Sequence, residues 1–125
     1  MKPNAEQIFQ GNYSRTSGLE ISIKMGPLMP GIDAVFTGND RMAIGLMQGL
    51  SEQGFRVGQD YGLIGYDDSD IARMVQPGLS SVKVPFFEMG KIAAEKMLYA
   101  LSTGKTESFQ ERLPVTLIER ASTTT

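Results

Sequence analysis

Short apolar runs and longer amphipathic stretches take turns along this chain. The strand-like runs are Asp33–Thr37, Tyr61–Tyr66 and Ser80–Val84, short and rich in apolar or β-favouring residues, and bounded by glycine, proline or polar residues. Between the first two, Ala43, Leu46, Met47 and Leu50 recur at i, i+3, i+4 and i+7. That spacing predicts a helix capped by Asp40 and closed by Gly54 in the left-handed position, with Phe55 behind it. After the third run, Pro85 opens a helix over about Phe86–Leu101 that Gly104 closes, with Phe86, Met89, Ala93, Met97 and Ala100 in one stripe. Ile8-Phe9 lies in a further short segment ending at Gly11–Ser14, where glycine and a cap, Ser14 or Thr16, mark a strand-to-helix turn. Gly18–Met29 pulls both ways: alternating Leu19, Ile21, Ile23 and Met25 favour strand, whereas capping and length favour a short helix ending near Gly26-Pro27, which is our assignment. The last strand is Leu113–Ile118, and the polar tail Ala121–Thr125 is expected to fray.

Strand, polar loop and helix in this rhythm are the pattern of βαβ units, so the expected fold class is α/β, a mostly parallel β-sheet flanked by helices. Polar residues just past the strand C-termini then gather on one rim, which places Asn12, Asn39 and Asp67 together. Asn39 donates and accepts through its amide and Asp67 accepts through both oxygens, a pair suited to a neutral ligand with several hydroxyls or ring nitrogens; helix capping alone would also explain either. Tyr13 offers a ring face to a planar or sugar ligand, or serves as an edge of the core.

Composition narrows the chemistry. With 125 residues, 41% hydrophobic and 21% charged, the chain reads as one globular unit. A net charge of −2 leaves no basic field for a phosphate backbone, so direct DNA binding by these residues is disfavoured. The absence of cysteine and histidine removes disulfides, thiolate zinc sites, cysteine nucleophiles and the usual general base. The longest apolar run, Met97–Leu101, is far short of the ~20 residues of a membrane helix, and no export signal opens the sequence, so the expectation is a cytoplasmic or trimmed chain. Asp67, Asp68 and Asp70 look at first like a magnesium cluster, but no phosphate loop or lysine accompanies them, and aspartates before a helix are common caps. Gly62, Gly65 and the pair Gly45, Gly49 miss the dinucleotide fingerprint. Neither a metal nor a cofactor is expected.

Longer matches carry a family resemblance. The run Asp33-Ala34-Val35-Phe36-Thr37-Gly38-Asn39-Asp40-Arg41-Met42-Ala43-Ile44-Gly45 resembles the "dA-x-F-x-x-ND-x-x-A-x-G" block of the lactose/galactose repressor (LacI/GalR) family. Gly54–Asp60 followed by Leu63–Asp68 is similar to that family's "G-x-R-V-P-x-D-x-S-V-x-G-Y-D-D", with Gly58 where proline is usual. Pro77–Val82 resembles "P-x-L-T-T-V", Gly90–Leu98 the helix "G-x-x-A-x-x-x-L", and Leu113–Ser122 the closing "L-P-x-x-L-I-x-R-x-S". The resemblance runs from about Ile8 to Thr123.

It implies the C-terminal part of the effector-binding domain of a bacterial transcriptional regulator, a partial periplasmic-binding-protein-like (type I) fold, without enzymatic activity. The helix-turn-helix head, the first lobe, and the first strand and helix of the second lobe would lie outside this sequence. The family's positions then make Tyr13 an aromatic stacked on the effector and Asn39 and Asp67 its hydrogen-bonding partners. Phe86 and Met89 align with apolar contacts at the hinge crossing, and Val84 replaces a residue that is often polar. The partners implied are a small effector, sugar or purine-like, and a second copy of the chain, with DNA reached only through the absent head and no membrane. In the family the helix over residues 85–104 packs on the first lobe, so its stripe is expected to lie bare and drive dimerisation or repacking. The alternatives are a periplasmic sugar-binding protein of an ABC-type uptake system, which shares the fold, an α/β enzyme using Asp67 or Asp68 as base, and a proteolytic or engineered fragment.

Overall fold

The computed structural model describes residues 5–105 and 110–124. Its sheet has four strands, β1 (Ala34–Phe36), β2 (Gly62–Asp67), β3 (Ser80–Lys83) and β4 (Thr116–Ile118), side by side in that order. β1 with β2 and β2 with β3 are parallel, with Val35 opposite Leu63 and Gly65 opposite Ser81. The helices are α1 (Arg15–Met25), α2 (Asp40–Glu52), α3 (Asp70–Met74) and α4 (Phe86–Thr103). The expected α/β class with a mostly parallel sheet is what the chain forms.

α2 is the amphipathic helix that its spacing predicts. Ala43, Leu46 and Leu50 are buried with Leu63 of β2 and with Leu79, and Gly54 at φ 93° makes the left-handed turn that ends it. α1 is a different kind of helix, because its buried residues are Ser17, Gly18, Ser22 and Met25. It packs on α2 through small residues: a Cβ on Gly18 would run into the backbone of Met42 and Leu46, and a Cβ on Gly45 would run into the backbone of Arg15 and Leu19. Ser22 occupies the space facing Gly49. With glycine and serine at the crossing, the apolar residues of α1 no longer mark its buried face, which is why the sequence looked half strand-like there. Ser14 is its cap, its hydroxyl accepting from the Ser17 amide at 3.1 Å, and a 3-10 stretch over Gly26–Gly31 follows.

Four expectations need correction. Ile8 and Phe9 form no strand: β1 is the edge of the sheet, and Phe9 instead lines a cavity of about 100 Å³ together with Val35, Phe36, Met42 and Leu46. The last strand is shorter than predicted, Thr116–Ile118, leaving Pro114 outside the ladder that it cannot donate to. The tail is anchored over residues 121–124, with Thr125 outside the described residues, because Ser122 is fully buried and stitches two elements. Its carbonyl accepts from Leu63 N–H at 2.9 Å, its N–H donates to Gly78, and its hydroxyl accepts from Ser80 N–H and donates to the Leu63 carbonyl. Finally, the single unit expected from length is two: Met1–Lys83 with Leu117–Thr125, and Val84–Thr116.

The second unit is built on α4, which ends at Gly104 in the left-handed conformation as predicted. None of its residues is buried. Phe86 is 58% exposed, Met89 46% and Met97 66%, so the stripe is open to solvent. Lys96 and Glu111 form an ion pair at 2.8 Å within it.

Candidate functional site

Three chain segments meet where β1 and β2 end. Tyr13, in a left-handed conformation at φ 63°, sits just before the Ser14 cap with its side chain 67% exposed. Its ring lies against Gly38, where a Cβ would be 3.2 Å from Cε1. Asn39 is the cap of α2, its Oδ1 accepting from the Met42 amide at 2.9 Å, while its Nδ2 donates to the Tyr13 carbonyl at 3.0 Å. Thr37 completes the corner, its hydroxyl within reach of the Asn39 and Ile64 carbonyls. Tyr13 and Asn39 therefore share one rim. Asn12, expected there too, is used locally instead, its Oδ1 accepting from the Ser14 amide and hydroxyl.

Asp40 is not the cap that the sequence suggested, since Asn39 takes that position. It is 1% exposed in the first turn of α2, where the helix dipole favours a negative charge. Its Oδ2 accepts from both the amide and the hydroxyl of Ser69 at 2.7 Å, and its Oδ1 from the Ser81 hydroxyl at 2.5 Å. The Ser81 hydroxyl in turn accepts from the Asp68 amide at 3.0 Å. Space for the Asp40 carboxylate exists because residue 65 is glycine; a Cβ there would collide with Oδ1.

The loop after β2 carries the remaining acids. Asp67 and Asp68 are both left-handed, at φ 106° and 52°, a conformation that costs a non-glycine residue about 1–3 kcal/mol. Asp68 pairs with Arg120, Nη2 to Oδ1 at 2.6 Å, and Arg120 also donates to the Leu79 carbonyl at 2.6 Å. Both side chains are largely buried, so this is a structural ion pair rather than a cap or a metal ligand. Asp70 is exposed and pairs with Arg73. Asp67 differs from both: among the described residues its carboxylate has no hydrogen-bond or ion-pair partner. Burial pushes its pKa above the ordinary carboxylate value, and the charge of Asp40 adds to that.

Tyr13, Asn39 and Asp67 are thus placed on the strand-end rim of the first unit, while Phe86 and Met89 lie in the first turn of α4 in the second unit. Sequence reasoning missed Asp40, Ser81 and Arg120 as the frame of the rim. A signal was available for one of them: Asp68 needs a cation to be buried, and Arg120 lies in a motif already singled out.

The sequence profile of the periplasmic binding protein-like domain matches residues 2–123. The chain belongs to this family. Within it, the chain is 34% identical to the lactose operon repressor of Escherichia coli (strain K12) over 98% of its own length and 33% of that protein's. Among solved structures it is similar to the complex of the transcriptional regulator CelR with cellobiose, with a TM-score of 0.91, 29% identity, and coverage of 98% of this chain and 37% of that one. It is also similar to the lac repressor dimer bound to operator and the anti-inducer ONPF, with a TM-score of 0.80, 34% identity, and coverage of 92% and 34%. The chain spans about a third of the length of these relatives. All three are transcriptional regulators, which favours the regulator reading over an uptake receptor, and their likeness carries the partial periplasmic-binding-protein-like fold expected from the motifs.

Proposed function

We propose that this chain is the C-terminal portion of the effector-binding domain of a LacI/GalR-type regulator, coupling capture of a small sugar to operator affinity. The observation that carries the reading is the Asp67 carboxylate: partly desolvated, unpartnered among the described residues, and held on a strained backbone at the end of a central strand. A group with that cost and no internal partner is what a ligand hydroxyl would satisfy. Tyr13 supplies an exposed ring face for a sugar to stack on, and Asn39 has one amide hydrogen and one lone pair left after its two structural bonds. In the second unit, Phe86 and Met89 offer apolar surface in the first turn of α4, and the exposed stripe to which they belong supports packing of residues 85–104 on a first lobe and assembly with a second copy. Operator binding belongs to a helix-turn-helix head outside these residues, so effector and DNA influence one another through domain closure and dimer geometry. The protein works in the cytoplasm, without catalysis and without a cofactor. Among the described residues no helix is long and apolar enough to cross a membrane.

The test is calorimetric titration of the full-length regulator with lactose, cellobiose and ribose, alongside Asp67→Ala and an operator-binding assay. Removing a hydrogen-bonded charged acceptor is expected to weaken sugar binding by about 1.5–3 kcal/mol with operator affinity of the sugar-free protein intact. Sugar affinity unchanged in Asp67→Ala refutes the assignment.

A further inference from the structure

The left-handed turn at Asp67 and Asp68 is an unusual thing for two non-glycine residues to sustain, and the structure shows what sustains it. Neither α3, which follows, nor β2, which precedes, supplies the anchors. They come from elsewhere in the fold: Asp40 at the start of α2, Ser81 in β3 and Arg120 past β4. Asp40 is the hub, because it takes the Ser69 amide and hydroxyl directly and orients Ser81, whose oxygen then takes the Asp68 amide. Its carboxylate makes these three bonds in a buried space that glycine at position 65 leaves open. A carboxylate with a purely local role would not need partners on two other elements.

We infer that Asp40 is a positioning residue for ligand recognition: through Ser69 and Ser81 it fixes the loop conformation that presents the Asp67 carboxylate at the rim. This rests on the reading of Asp67 as a sugar contact. Asp40 touches no ligand itself, and its effect on affinity passes through the backbone of residues 67–69. An asparagine keeps the size of the group and one acceptor oxygen for the Ser69 amide, whereas alanine keeps neither.

The experiment compares Asp40→Ala, Asp40→Asn and wild type in the full-length regulator, at a temperature well below the midpoint of each. Hydrogen–deuterium exchange is read at the amides of Asp68 and Ser69 with those of Leu63 and Ile64 as reference, and lactose, cellobiose and ribose are titrated in parallel. In Asp40→Ala the loop amides are expected to exchange at least about tenfold faster while the β2 reference amides hold, and the affinity for the bound sugar to fall by about tenfold or more, with Asp40→Asn recovering most of both. A loss of mere structural stability would instead speed loop and reference amides together and leave affinity alone. Protection retained in Asp40→Ala overturns the inference, and so does lost protection with affinity unchanged. If wild type binds none of the sugars, the sugar reading falls and the positioning role falls with it, while the exchange data still report whether Asp40 anchors the loop. Should Asp40→Ala fail to fold, Ser81→Ala removes one anchor only, and the same local loosening of Asp68 is expected from it.

Discussion

Replacing Gly45 with alanine tests how the first unit is put together. Its Cβ would sit 2.9 Å from the Leu19 amide nitrogen and closer still to the Arg15 carbonyl oxygen, both of them backbone atoms that no rotamer change can move aside. Ordinary contact starts near 3.4 Å, so α1 and α2 must separate by several tenths of an ångström at least. The separation also loosens the reciprocal contacts of Gly18 with Met42 and of Ser22 with Gly49. Overpacking of this kind costs about 1–3 kcal/mol, and here the top of that range applies because the clash is with a rigid helix backbone. Alanine returns about 1 kcal/mol of helix propensity, which leaves a net loss of about 2 kcal/mol. For a unit of this size that is roughly 8–16 °C in Tm. Urea unfolding followed by far-UV circular dichroism measures it, with Gly90→Ala as the control: Gly90 in α4 has nothing within 4 Å of its Cβ position, so there the propensity gain of about 1 kcal/mol is expected alone. A Gly45→Ala midpoint at or above that of wild type refutes the small-residue account of the α1–α2 crossing.

Substitutions at two further positions probe buried polar groups. Tyr61 is buried with its hydroxyl lacking a partner among the described residues, so Tyr61→Phe is expected to be neutral or stabilising by about 1 kcal/mol in urea unfolding; a loss of that size would mean that the hydroxyl is satisfied. Burial, with a smaller push from Asp60, raises its pKa from 10.0 to about 12. The unfolded chain therefore releases this proton while the folded one keeps it, so stability is level below pH 10.0 and falls as pH rises towards about 12, by on the order of 2 kcal/mol, a slope that should vanish in Tyr61→Phe. Arg120→Ala leaves the Asp68 carboxylate buried and unpaired, with an expected loss of about 3–5 kcal/mol in chemical unfolding. Arg120→Lys should restore little of it, because one ammonium cannot reproduce the fork that reaches both Asp68 and Leu79; full rescue by lysine would show that only the charge matters.

The fold was legible wherever hydrophobicity alone decides burial. α2 could be read from four apolar residues at helical spacing, β2 from its apolar run, and α4 from the proline and glycine that bracket it, because each signal is local. α1 was harder, since its buried face is made of glycine and serine, whose value lies in the closeness that they permit to a helix twenty-odd residues away. The tail misled for a similar reason: Ser122 is polar and terminal by position, yet it is buried by hydrogen bonds to Leu63, Gly78 and Ser80, none of them near in sequence. The loss of a strand at Ile8-Phe9 follows from pairing, since a strand needs a neighbour and no local pattern reports whether one is present. At the rim, the placement of Asn39 and Asp67 at strand ends was legible from the strands that precede them, whereas Asp40 was assigned a capping role that its neighbour Asn39 performs, because two cap-competent residues in a row look alike until the backbone is seen.

Asp67 and Asp68 show why environment, and not residue type, has to decide a role. They are adjacent, both acidic and both in a conformation that disfavours them. Asp68 has its negative charge answered by Arg120 and its amide by Ser81, so its strain is offset inside the fold. Asp67 stands one residue away on the same strained turn with its charge unanswered among the described residues and its ionised form disfavoured by burial. The frame of Asp40, Ser69, Ser81 and Arg120 fixes the loop at residues 68 and 69. On the function proposed above, what the frame holds in place without touching is the Asp67 side chain, with the buried Asp40 and Ser81 at its centre and the Asp67 carboxylate left for a ligand.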